Sequence, residues 1–210
     1  METQFWLDKW QNNELGFHQM QVNKTLAEHF AALEIPEGSR IFVPLCGKTL
    51  DMAWLLEQGY RVVGIELSPI AIEDFFKGMD VIPEVSKVGP LTRYSARNVD
   101  LYVGDIFDLD KDILGKVDAI YDRAALVALP DETRRRYAEH MTAITGKAPQ
   151  FLLCFEYDQS LMKGPPFSIE SPIVRDLYEG LYTAIPITRT EIPGGFKGEF
   201  PASESLWILR

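Results

Sequence analysis

Cysteine, histidine and long apolar runs are all scarce in this 210-residue sequence, and each scarcity excludes something. The two cysteines, Cys46 and Cys154, lie far apart, so neither a disulfide scaffold nor a zinc-type ligand spacing is available. A reducing cytoplasm is the compartment such cysteine usage suits. His18, His29 and His140 form no paired-ligand spacing, and no metal site is expected. No apolar run approaches the roughly 20 residues that cross a bilayer. The N-terminus mixes Glu2, Asp8 and Lys9 with its aromatics and lacks the basic-then-apolar layout of a signal peptide. Basic charge is short as well: 21 Lys and Arg stand against 31 Asp and Glu, a formal charge of −10. A polyanion is repelled by that field, and the densest basic run, Arg134-Arg135-Arg136, is too small to override it. Neither nucleic acid nor a membrane is an expected partner.

What is present is an ordinary globular mix, 46% hydrophobic and 25% charged, of a length that suits one domain. Val22, Leu26, Phe30 and Leu33 keep helical spacing, which predicts a helix over 19–33. Residues 40–43 read as a buried strand, 49–58 as a helix and 61–66 as a strand. Ser68-Pro69 opens a further helix to about Lys77, with Ser68 as its cap. Strand and helix alternating at this pace predict a parallel sheet with crossover helices on both faces. Pro83, Gly89 and Pro90 break the rhythm, so 78–97 reads as an insertion in a single domain spanning 1–210. Strands follow at 99–103, 117–121 and 151–157, with a helix capped by Asp131 between the last two. A helix over 171–182 precedes two closing strands, 184–192 and 205–209, whose direct succession predicts an antiparallel hairpin. Seven strands are expected in all.

In such sheets the ligand sits outside the carboxyl ends of the strands, so the loops that follow them are where chemistry is sought. Pro44-Leu45-Cys46-Gly47-Lys48-Thr49 follows the first strand and ends like a phosphate-binding loop. That motif needs a glycine at position 42, where Phe42 stands, and the dinucleotide fingerprint G-x-G-x-x-G is missing too. Glu66 closes the second strand 19 residues beyond Gly47, the place from which a carboxylate holds a ribose diol. Its structural alternative is a cap on the following helix. A ribose contact without a pyrophosphate cradle points to a nucleoside cofactor lacking phosphates, S-adenosylmethionine above all. After the third strand, Asp105 can accept from an adenine amino group and Ile106 offers an apolar wall, or Gly104-Asp105 merely turns the chain. Asp122 and Arg123 end the fourth strand, where they would face the ligand or form a surface ion pair.

These residues resemble the thiopurine S-methyltransferase family. The resemblance is carried by Phe5-Trp6-Leu7-Asp8-Lys9-Trp10, Gly16-Phe17-His18-Gln19, Phe42 to Lys48, Val62 to Glu66, Ile106 to Leu109, Tyr121 to Leu126 and Gly164-Pro165-Pro166-Phe167. It implies a class I methyltransferase (Rossmann-like) α/β fold, a seven-stranded mostly parallel sheet of order 3-2-1-4-5-7-6 with strand 7 antiparallel. It implies S-adenosylmethionine as cofactor and S-adenosylhomocysteine as product, with Trp10, Leu45, Glu66, Asp105, Ile106 and Arg123 as cofactor contacts. Residues 1–35 become an N-terminal lid and helical extension, in which Trp6 begins the covering segment and Phe17 closes it. The implied acceptor is a small aromatic or heterocyclic thiol such as a thiopurine, with selenium or tellurium species as further acceptors.

A thiol already ionises near pH 8.5, so catalysis by positioning needs no dedicated base, and no catalytic acid or base is assigned. Trp6, Trp10 and Phe17 can cover a sulfonium with their π faces, or simply pack on the core. Arg123 can hold either the methionyl carboxylate or an anionic acceptor. Pro165, Pro166 and Phe167 give a stiff wall at the mouth of the site, and Gly194 to Gly198 a flexible flap carrying Lys197 as an anion contact. The competing function is a non-catalytic S-adenosylmethionine or nucleoside-binding module. A monomer is expected.

Overall fold

The computed structural model describes residues 3–16 and 18–210, which divide into two compact units meeting near residue 120 in the sequence. The first unit begins with α1 (Thr3–Gln11) and α2 (Lys24–His29), continued by a 3-10 turn over Phe30–Leu33. Here the expected helix over 19–33 is too long. Asn23 stops it from below, because its side chain accepts from the Leu26 amide at 2.8 Å and so occupies the cap position. The alternating part comprises β1 (Arg40–Pro44), α3 (Leu50–Glu57), β2 (Arg61–Glu66), α4 (Pro69–Gly78) and β5 (Val99–Val103). Between α4 and β5 the supposed insertion folds as a hairpin, β3 (Glu84–Val88) and β4 (Leu91–Ala96). A short α5 (Lys111–Leu114) follows.

Strand order in this unit is β3-β4-β5-β2-β1, with β1, β2 and β5 mutually parallel and the hairpin added antiparallel at the edge. The hairpin accounts for the difference from seven strands: the described residues carry nine. Its Pro and Gly residues, read as interruptions, sit before β3 and in the turn between its strands. Parallel strands are covered on both faces and so run apolar without alternation. Ile41, Phe42, Val62, Val63 and Ile65 are accordingly buried, as are Met52, Leu55, Ile72 and Phe75 of α3 and α4. Each such side chain contributes about 1.5–3 kcal/mol.

The second unit contains β6 (Ala119–Arg123), α6 (Asp131–Thr145), β7 (Gln150–Tyr157), α7 (Ser171–Tyr178), β8 (Ala184–Glu191) and β9 (Ala202–Leu209). β6 and β7 are parallel, β9 runs antiparallel to β7 and β8 antiparallel to β9, in the order β6-β7-β9-β8. Setting the hairpin aside, the two units reproduce the expected 3-2-1 and 4-5-7-6 segments. Asp131 is not the cap of α6. Pro130 holds that position, while Asp131 and Glu132 lie in the first turn where the helix dipole favours acid. α7 ends at Tyr178 rather than 182.

Gly64 lies mid-strand in β2 with no room for a side chain. A Cβ there would stand 2.9 Å from Cys46 Sγ, 2.9 Å from Leu101 Cδ2 and 3.2 Å from the Val43 carbonyl. Gly64→Ala is therefore expected to destabilise by about 1–3 kcal/mol through overpacking, read as a lowered urea midpoint. An unchanged midpoint would show slack between β1 and β5 that the packing does not suggest.

Candidate active site

In the first unit the loop after β1 reverses sharply, with Leu45 and Gly47 both at positive φ (45° and 51°). Such backbone is costly for leucine and tends to persist where surrounding contacts over-determine it. The contacts are present. The Cys46 amide donates to the Ile65 carbonyl at 3.0 Å, and the Gly47 amide donates to Glu66 Oε2 at 2.9 Å. The other carboxylate oxygen, Oε1, accepts from the Ser68 amide at 3.0 Å. Glu66 thus joins the turn after β1 to the start of α4.

That arrangement corrects the expected role of Ser68. Its residue is at the cap position of α4, yet the side chain makes no capping bond, because Glu66 has taken the amide end of the helix. The Ser68 hydroxyl is left buried without a hydrogen-bond partner. Glu66 is 7% exposed, and burial raises its pKa while the amides of Ser68, Gly47 and Leu67 pull it back. An ionised carboxylate offers about four acceptor positions, more than these amides occupy, so capacity remains for a ligand hydroxyl.

Trp10 is buried over the same turn. A Cβ on Gly47 would stand 3.2 Å from its ring, so glycine is required both for the backbone and for the close approach. Lys48 Nζ lies 5.7 Å from the Trp10 ring centroid and 2.7 Å from Asp74 Oδ2, between the loop and α4. Trp6, one turn earlier in α1, is half-buried and meets Phe5 edge-on at 5.2 Å. Phe17 lies outside the described residues.

β5 delivers the next group. Glu66 and Val103 are register partners, and the Gly104 amide donates to the Glu66 carbonyl at 3.0 Å, so the loops after β2 and β5 leave side by side. Asp105 is half-buried and caps the 3-10 turn Ile106–Asp108, accepting from the Phe107 amide at 3.0 Å. Ile106 is buried. The structure therefore brings Trp10, Leu45, Glu66, Asp105 and Ile106 to one end of one unit.

In the second unit Arg123 closes β6, half-buried, ahead of Ala124 in the left-handed region at φ 63°. Asp122 does not face a ligand as expected. It is fully buried, with Oδ1 accepting from the Leu126 amide at 3.1 Å and Oδ2 accepting from the Tyr137 hydroxyl at 2.7 Å. Burial raises its pKa to about 6 against the counter-pull of Tyr137 and the Leu126 and Ala125 amides. It holds the turn that presents Arg123.

Pro165, Pro166 and Phe167 are half-exposed in the loop after β7. The Phe167 amide donates to the Val127 carbonyl at 2.6 Å, and the buried Arg134 guanidinium stacks 5.6 Å from the Phe167 ring. The loop between β8 and β9 is no loose flap. Phe196 and Phe200 form a bridge pair, with Phe196 packing on Phe155 at 5.0 Å and Phe200 on Tyr157 at 5.3 Å. Lys197 is exposed and arches over the Phe196 ring at 5.3 Å. Sequence reading missed this aromatic group. Its one signal is the spacing of Phe155 and Tyr157, two apart and therefore on one face of β7.

Burial raises the thiols of Cys46 and Cys154 well above their ordinary range, so both stay protonated and neither is an available nucleophile. Among the described residues, no helix is long and apolar enough to cross a membrane.

The architecture superposes on magnesium protoporphyrin IX methyltransferase from Synechocystis PCC 6803 with bound S-adenosylmethionine. The TM-score is 0.67 at 14% identity, over 99% of this chain and 97% of that one. It also superposes on 1,6-didemethyltoxoflavin-N1-methyltransferase from Burkholderia thailandensis at TM-score 0.66 and 16% identity, over 99% and 86% of the two chains. The fold is that of a class I S-adenosylmethionine-dependent methyltransferase. The family model for thiopurine S-methyltransferase matches residues 1–193. The thiopurine S-methyltransferase of Xanthobacter autotrophicus is 51% identical over 210 residues, covering 100% of this chain and 99% of that protein. The chain belongs to the thiopurine S-methyltransferase family and is an S-adenosylmethionine-dependent methyltransferase.

Asp122 carries a pH signature with a definite sign. Its carboxyl binds a proton more tightly folded than unfolded, so its contribution is fully present below about pH 4 and is lost as pH rises through about 6. The rise from 3.8 to about 6 corresponds to about 3 kcal/mol. Asp122→Asn should flatten the stability profile between pH 4 and 7, measured by urea unfolding at each pH. An undiminished slope would assign it to other groups.

Proposed function

We propose that the enzyme transfers the methyl group of S-adenosylmethionine to the sulfur of a small aromatic or heterocyclic thiol. The single observation behind the choice of acceptor is the stiff apolar surface at the carboxyl end of β7. Pro165, Pro166 and Phe167 are tied down there, and Phe155, Tyr157, Phe196 and Phe200 form a packed aromatic group. Planar apolar rings gain from such a surface by burial and offset stacking.

The cofactor's chemistry fits the residues of the first unit. Bound S-adenosylmethionine supplies an electrophilic sulfonium methyl group. Glu66 and Asp105 are acceptors, suited to the ribose hydroxyls and the adenine amino group, which are donors. The Gly47 turn, closed by Trp10, has its amide turned to Glu66 and offers no phosphate cradle. Leu45 and Ile106 supply apolar walls and Trp10 an aromatic face tolerant of positive charge. Arg123 is assigned to the methionyl carboxylate, with Trp6 and Phe17 as the covering segment that excludes water and Lys197 as an acceptor contact.

These residues orient and desolvate, and none is asked to act as a strong base. An aromatic thiol ionises below the ordinary pH 8.5, so holding the reactants in line can provide several kcal/mol of the acceleration. A cytoplasmic monomer is part of the same reading, which the buried, unpaired thiols of Cys46 and Cys154 suit.

The deciding experiment incubates the enzyme with labelled S-adenosylmethionine and a panel of aromatic thiols, alkyl thiols, and selenium and tellurium species, with mass detection of methylated products. Preferred methylation of aromatic thiols supports the proposal. Labelling of none, with tight cofactor binding retained, would favour the non-catalytic module. Glu66→Gln is expected to weaken S-adenosylhomocysteine binding by about 1.5–3 kcal/mol in calorimetry, the value of hydrogen bonds to a charged group. Unchanged affinity in that variant rejects the ribose contact.

A further inference from the structure

We propose that Gln159 is a positioning residue that sets the acceptor wall, through a side-chain clamp across residues 162–168. The inference rests on the reading of Pro165, Pro166 and Phe167 as part of the acceptor surface.

Two successive prolines cannot hold themselves in place. Neither has an amide hydrogen, so between Gly164 and Phe167 the backbone offers carbonyl acceptors and no donors. The structure supplies what the backbone lacks from outside the segment. One hydrogen of the Gln159 amide donates to the Met162 carbonyl at 2.6 Å, at one end of the loop. Its oxygen accepts from the Ser168 amide at 2.8 Å, at the other end. The remaining hydrogen donates to the Tyr157 hydroxyl at 2.9 Å, and that hydroxyl donates to the Pro166 carbonyl at 2.7 Å, in the middle. The Ser168 hydroxyl completes the ring by accepting from the Tyr157 amide at 2.9 Å.

Every hydrogen-bonding position that aligns the clamp is thus engaged. Glutamine suits the task because it carries two donors and an acceptor at sufficient reach. Glutamate at this position would lose both donors and set a carboxylate against the Met162 carbonyl. Gln159 itself is exposed, yet it fixes the position of residues three to nine places further on. Because the wall it holds faces large rings and not small chains, its effect should depend on the size of the acceptor.

The test compares wild type with Gln159→Ala, Gln159→Glu and Tyr157→Phe, using one heteroaryl thiol and one small alkyl thiol. The proposal expects KM for the heteroaryl thiol to rise at least tenfold in both Gln159 variants. KM for the alkyl thiol should move less than twofold, and S-adenosylhomocysteine affinity should stay constant. Tyr157→Phe keeps the ring and removes the Pro166 tether, so it should raise the heteroaryl KM in the same direction. Combined with Gln159→Ala it should add little. Hydrogen exchange at the Phe167 and Ser168 amides should quicken in the Gln159 variants. An active wild type whose variants show unmoved KM values, or equal losses for both thiols that follow the folded fraction, would overturn this inference alone. A wild type that methylates neither thiol would overturn the acceptor reading and this inference with it.

Discussion

The buried carboxylate of Glu66 is the constraint on which the loops at the carboxyl end of β1, β2 and β5 depend. Placing that group at 7% exposure carries a desolvation cost of several kcal/mol unless donors replace water. The donors are backbone amides, Gly47 on one side and Ser68 on the other, while the carbonyl of the same residue receives the Gly104 amide. One residue therefore sets the relation between the turn after β1, the start of α4 and the turn after β5. Trp10 then seals the first of these turns, and glycine is required at 47 because the ring approaches so closely. The proposed nucleoside site grows from a single charge that had to be satisfied.

The second unit solves a similar problem with different groups. Asp122 is wholly buried and spends its acceptors on the Leu126 amide and the Tyr137 hydroxyl, which fixes the turn after β6. Gln159 and Tyr157 do the same for the proline loop after β7, where no backbone donor exists. In each case a polar side chain near a strand's carboxyl end orders a loop that lacks regular hydrogen bonding. Rigid loops suit the proposed transfer reaction, in which alignment matters more than proton chemistry. The aromatic group of Phe155, Tyr157, Phe196 and Phe200 adds the apolar surface proposed for the acceptor.

Family membership bears on how these features are weighed. The likeness to distant methyltransferases establishes the fold, whereas the near relatives, at about half identity over the full chain, establish the chemistry of methyl transfer. In the proposed reading, the choice of acceptor is made at the proline and aromatic surface.

The alternating rhythm of apolar strands and helices was legible in the residues alone, because periodicity and Ser-Pro and Gly signals are local. So was the place of Glu66 and Asp105 at strand ends. The edge hairpin was not: Pro83, Gly89 and Pro90 look like breaks until β5 offers β4 an antiparallel partner, and that partnership is a long-range fact. Nor could spacing show that Asp122 turns inward to Tyr137, 15 residues on, or that Ser68 yields its capping role to Glu66. The looped stretch around Lys197 read as flexible from its glycines, yet ring packing against β7 pins it. Sequence by itself determined the fold class, the family and the chemical types at the strand ends. Which polar groups are satisfied by the protein's own backbone and side chains was decided only when the tertiary structure brought distant donors within hydrogen-bonding reach.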